Sequence, residues 1–115
     1  MDVQEYLPLT ETSFFIILSL ATAPKHGYAI MKEVEAMSEK RVVLATGTLY
    51  SALRRMLEDG WIERVTDADE NSEADNRERK LYQLTRHGRR VLEAEINRLR
   101  KLVDLTQTHD VRAGR

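Results

Sequence analysis

The chain has 115 residues, 42 % hydrophobic and 32 % charged, with 18 Lys and Arg against 19 Asp and Glu and a net charge of −1. That length allows one modest core, and the charge balance excludes a histone-like positive surface while leaving room for a local basic patch. The sequence has no cysteine, which excludes a disulfide framework, thiolate catalysis and Cys-ligated metals.

The longest apolar stretch, Phe14 to Ala23, is too short to span a bilayer, and no basic segment precedes it as in a signal peptide. A cytoplasmic protein is expected. The first predicted helix begins at Thr10 and stops at Pro24. Thr10 is a suitable N-cap, Glu11 suits the positive end of the helix, and Pro24 cannot continue the ladder. Phe14, Phe15, Ile16, Ile17, Leu18 and Leu20 make this helix apolar on nearly every side. It therefore needs two burial partners, its own domain and a second subunit.

A second helix is predicted from Gly27 or Tyr28 to Ser38, on a stripe of Ile30, Met31, Val34 and Met37. A third runs from Thr46 to Asp59 and stops at Gly60, a residue suited to the left-handed position past a helix end. Its inward face is Leu49, Ala52, Leu53, Met56 and Leu57. The opposite face carries Gly47, Ser51, Arg54, Arg55 and Glu58, flanked by Thr48 and Tyr50, and nothing in the chain is expected to cover it.

After Gly60 the pattern turns aromatic and β-branched, predicting strands over Trp61 to Thr66 and Arg79 to Leu84. The acidic stretch from Asp67 to Asn76 is expected to join them as a mobile loop. Thr85 then caps a last helix extending to about Thr108. Along it Leu92, Ile96, Leu99 and Val103, widened by Leu102 and Leu105, form a seam too short to be stable without a partner helix. Together with Phe14, Phe15 and Leu18, the residues Leu92, Ile96, Leu99, Leu102 and Val103 are the candidate dimer interface.

The fold class is thus mainly α with a small β-hairpin, in the order of a winged helix-turn-helix followed by a long C-terminal dimerisation helix. The expected division is residues 1–84, 85–108 and a disordered tail at 109–115. In such a fold the third helix enters the DNA major groove, anchored by one apolar face and reading with donors on the other. Leu49, Leu53 and Met56 serve the first need, and Thr48, Tyr50, Ser51, Arg54 and Arg55 the second. Arg77, Arg79 and Lys80, at the base of the wing, are candidate phosphate contacts. The rival reading is a winged-helix module that binds a protein through the same polar face.

Among the remaining side chains, Trp61 is expected in the core and Tyr82 in hairpin packing, while His87 is expected to be solvated. His26, His87 and His109 share no metal-ligand spacing, so no metal is expected. There is no nucleophile elbow, Gly-rich phosphate loop or HExxH, so neither an enzyme nor a cofactor is expected.

Three stretches, TETSFFIILSLATAPKHGY from Thr10, TGTLYSALRRMLEDG from Thr46 and RKLYQLTRHGRR from Arg79, resemble the PadR family of bacterial transcriptional regulators. The single helix after the wing is similar to the family's shorter subgroup. The resemblance implies a homodimeric repressor of double-stranded DNA, its dimer built mainly by the last helix with help from the first. It makes Thr46, Thr48, Tyr50, Ser51, Arg54 and Arg55 groove-facing, and Lys25, His26 and Tyr28 phosphate contacts at the start of the second helix. Ser51 departs from the proline common after GTLY, and the acidic wing tip departs from a phosphate-seeking hairpin. Some members release DNA on binding a phenolic acid or cationic drug. For this chain a small hydrophobic effector between the subunits and a closed, ligand-free interface both stand open.

Overall fold

A computed structural model describes residues 2–65 and 80–109. The elements are a 3-10 turn (Val3–Tyr6), α1 (Glu11–Ser19), β1 (Lys25–His26), α2 (Gly27–Met37), α3 (Thr46–Glu58), β2 (Ile62–Val65), β3 (Leu81–Leu84) and α4 (Arg86–Thr108). The predicted acidic loop and its flanks, including Arg77 and Arg79, lie outside the described residues, as does most of the predicted tail.

Three helices and a small sheet share one core. Ile16 and Ile17 of α1, Ile30 and Val34 of α2, and Leu49 and Leu53 of α3 are each at most 1 % exposed. Trp61, Ile62, Tyr82 and Leu84 close this core from the sheet, and Val91 and Leu92 close it from the first turns of α4. Burial of this kind contributes about 1.5–3 kcal/mol for each large apolar side chain. The winged unit and the start of α4 therefore form one body.

Three features depart from the sequence expectation. First, α1 ends at Ser19, five residues before Pro24. Ser19 is fully buried and donates its hydroxyl proton to the Ile16 carbonyl at 2.7 Å, and the chain must turn there to reach β1. Second, the sheet has three strands in the order β1-β3-β2, all antiparallel, with Lys25 opposite Tyr82 and His26 opposite Leu81. A two-residue strand has no periodicity of its own, and only the pairing with β3 makes it a strand. Third, Leu92 is 5 % exposed and sits in the chain's own core rather than on a free seam. Near its start α4 is still packed against the winged unit, so the free stripe begins later.

The junction between the wing and α4 is unusually close. The Thr85 side chain caps α4 by accepting from the Gly88 N–H at 3.0 Å, and the Thr85 N–H donates to the Trp61 carbonyl at 3.0 Å. A Cβ at Gly88 would stand 1.9 Å from that same carbonyl oxygen, so no other residue fits there without moving backbone. The glycine of the RHGRR stretch is explained by this contact. His87, expected in solvent, is half-buried with its ring edge-on to Tyr6, centroids 5.9 Å apart.

Candidate nucleic-acid interface

The third helix presents the face its spacing predicts. Leu49, Leu53 and Met56 are buried, while Thr46, Gly47, Thr48, Ser51, Arg54 and Arg55 are exposed. Gly47 and Ser51 form the crest, because they line the clefts on both flanks of the helix. Neither α2 nor α3 has a side-chain cap: they begin at His26 and Ala45 and carry no acidic residue in the first turn. Their first N–H groups are thus unanswered by a cap and lie at the positive ends of their dipoles.

The two flanks differ in chemistry. On the wing side a groove of about 490 Å³ is lined by Tyr50, Arg54, Arg64, Lys80 and Tyr82 among others, and among the described residues no acidic side chain lines it. Arg64 is exposed on β2, opposite Tyr82 in the register. The sequence reading missed it. Its signal was only that it shares a short strand with the wing base, and the three cations meet only when β2 and β3 pair beside α3. On the other flank a cleft of about 690 Å³ is lined by Thr10, Ser13, Thr48, Arg55, Asp59 and Trp61, among others. Here one cation faces one carboxylate, and hydroxyls supply most of the polar groups.

Four expected contacts acquire definite roles within the chain. Lys25 is half-buried and spends its ammonium on the Ser19 carbonyl and on Glu33, 3.3 Å away, so little of its charge is left for a phosphate. His26 donates from Nδ1 to the Lys80 carbonyl at 3.0 Å, joining β1 to β3 beside the wing base. Tyr28, 61 % exposed at the start of α2, carries the Lys32 ammonium over its ring, 5.8 Å from the centroid. Tyr50 is half-buried against α2: a Cβ at Gly27 would come within 2.5 Å of the Tyr50 hydroxyl oxygen. Gly27 therefore makes room for Tyr50, and the tyrosine couples α2 to α3 as much as it faces the groove.

Apart from Leu92, which is in the core, the candidate dimer residues, with Leu105 beside them, separate into two groups. Phe14, Phe15, Leu18, Ile96 and Leu99 are half-buried, whereas Leu102, Val103 and Leu105 are 48, 58 and 54 % exposed. Phe14, Ile96, Leu99 and Val103 line an almost wholly apolar crevice of about 270 Å³ with Arg100 and Asp104 at its edge. The described residues contain no cluster of His, Asp and Glu suited to a metal ion, and no helix among them is long and apolar enough to cross a membrane.

Residues 16–94, well over half the chain, match the model of the transcriptional regulator PadR-like family. The chain belongs to that family. A PadR family transcription regulator from Clostridium difficile is 25 % identical with a TM-score of 0.67, over 87 % of this chain and 98 % of that one. A PadR-like transcriptional regulator from Bacillus cereus superposes with a TM-score of 0.69 at 20 % identity, covering 90 % of this chain and 93 % of the other. Bacillus subtilis PadR, solved in complex with operator DNA, gives a TM-score of 0.63 at 20 % identity over 77 % of this chain. The match takes in 48 % of that longer protein, which has further chain beyond the shared fold. A comparison with curated proteins gave no match. The PadR-like winged-helix fold expected from the motifs is thus the fold the chain has, and the regulators of this family bind DNA rather than catalyse reactions.

Proposed function

We propose that this PadR-like protein is a sequence-specific DNA-binding repressor that acts in the cytoplasm as a homodimer on a pseudo-palindromic operator. The observation that carries the reading is the crest of α3. It is exposed, polar and uncapped, and beside it lies a groove whose charged side chains are Arg54, Arg64 and Lys80. Side chains on the crest reach base edges, and the flanking cations hold phosphates. That Bacillus subtilis PadR, a protein of the same fold, was solved in complex with operator DNA supports DNA as the partner. Among the described residues the charged lining of the wing-side groove is all cationic, which favours a polyanion over the rival, a protein docked on the same face.

The second subunit belongs to the reading for a separate reason. Leu102, Val103 and Leu105 form an apolar run on a helix that has left its own core, and a soluble protein covers such a stripe. A two-fold pairing through α4 sets two reading helices about one helical turn of DNA apart, about 34 Å. Between the subunits, the crevice at Phe14 and Leu99 would admit a flat hydrophobic effector that changes this spacing.

The test is fluorescence anisotropy of the full chain with the DNA upstream of its own gene, against a shuffled duplex and at two salt concentrations. Selective binding that weakens with salt is expected, and Arg64→Ala should lower the salt slope by about 1 with base preference unchanged. Equal binding to both duplexes, together with failure to enrich any site from random DNA, would overturn the reading.

A further inference from the structure

The segment before α1 lies across the junction between the winged unit and α4, and it is held at two places. Tyr6 stands edge-on to Trp61, centroids 5.1 Å apart at 84°, and to His87 on α4. Further along, the Leu9 N–H donates to Glu95 Oε2 at 2.9 Å. Glu95 is 2 % exposed, and its carboxylate also receives the Arg98 guanidinium, with Nη2 3.1 Å from Oε2. The carboxylate thus joins the N-terminal segment to the third turn of α4.

An ion pair at a buried position adds little net stability over an apolar pair of the same size. What it does add is direction, because its hydrogen bonds fix the groups they join. The first turn of α4 is already locked to the wing through Thr85, Gly88 and Trp61. Val91 and Leu92 carry that hold into the second turn by burial, which has no direction of its own, and the Glu95 hydrogen bonds add a directional hold one turn further on.

We propose that Glu95 and Tyr6 are positioning residues that set the angle between the winged unit and α4, and through it the half-site spacing the dimer selects. This rests on the DNA-binding dimer proposed above. In a dimer paired through α4 a small swing of each winged unit separates or closes the two reading helices. A displacement on the order of one base-pair step, about 3.4 Å, changes which operator fits. Neither residue touches DNA in this account, so their loss should relax spacing without changing the preferred bases.

The experiment uses full-length protein. Half-sites enriched by the wild type from random duplexes are placed one base pair closer, at the selected spacing and one base pair further apart, and affinity is measured by anisotropy. Wild type should lose roughly tenfold at either altered spacing, equivalent to about 1.4 kcal/mol. In Glu95→Ala and in Tyr6→Ala that discrimination should fall below about threefold, with the dimer mass and the affinity for a single half-site unchanged. Glu95→Gln, which keeps an acceptor for the Leu9 N–H, should recover part of it. If both alanine variants keep the wild-type spacing preference, or lose affinity equally at all three spacings, the inference is overturned while the DNA reading stands. If the wild type enriches no half-site, both fall together.

Discussion

The helices of the reading side and those of the anchoring side begin in opposite ways. α1 and α4 start at Thr10 and Thr85, whose hydroxyls accept the N–H groups of Ser13 and Gly88. α2 and α3 start at His26 and Ala45 with no side-chain cap. A cap is worth about 1 kcal/mol, so the chain forgoes stability at the starts of α2 and α3. Those ends are also the places where a phosphate oxygen would supply the missing acceptor. The difference is one of local capping: Thr10, itself exposed at the cleft beside α3, and Thr85 each answer an N–H of their own helix, whereas no side chain does so at the starts of α2 and α3.

The strongest way to break the anchoring side is Gly88→Ala, which drives a Cβ into the Trp61 carbonyl. It should destabilise the fold by about 3 kcal/mol, read as a large drop in melting temperature, and a wild-type melt would show that the junction yields. On the reading side, Arg54→Ala should weaken operator binding by about 1–3 kcal/mol with the melting temperature unchanged. Wild-type affinity for that variant would rotate the crest away from Arg54.

Ala45→Asp sets the two sides against each other. A new cap at the start of α3 should raise stability by about 1 kcal/mol, while its charge repels phosphate and lowers operator affinity. Paired melting and anisotropy measurements check both signs, and a gain in both quantities would remove the α3 end from the interface. The smallest effect is acidic. Hydrogen bonds from Arg98, then from the Leu9 N–H, hold the Glu95 carboxyl below its usual value of 4.5, against the opposing effect of burial. Because the folded pKa is depressed, this contribution is present above the unfolded value and is lost as pH falls through the folded one. Denaturant midpoints measured from pH 6 to pH 3 should fall more steeply for wild type than for Glu95→Gln.

Much of the fold was legible because it rests on local rules. The stripe of Leu49, Leu53 and Met56 placed α3 and its outward arginines, Thr85 marked the start of α4, and Gly60 with φ 77° marked the stop of α3. Where the reading went astray, distant residues decided. Lys25 reads as a free cation until Glu33 and the Ser19 carbonyl are folded against it. Tyr50 lines the groove as its spacing suggests, but that it also packs against Gly27 of α2 could not be read from the sequence. Leu92 reads as seam because heptad spacing cannot tell a turn packed on its own core from one left free.

By itself, then, the amino-acid order determined the four α-helices, the two wing strands, the exposed crest of α3 and the family, since periodicity, capping and short motifs act between residues a few positions apart. Tertiary structure alone decided which cations remain free, where the exposed apolar stripe of α4 begins, and that Arg54, Arg64 and Lys80 share one groove. It also brought Leu9 to Glu95, 86 positions later in the chain. A burial or a hydrogen bond between such distant residues leaves no local pattern to read, because it exists only once the intervening chain has folded back.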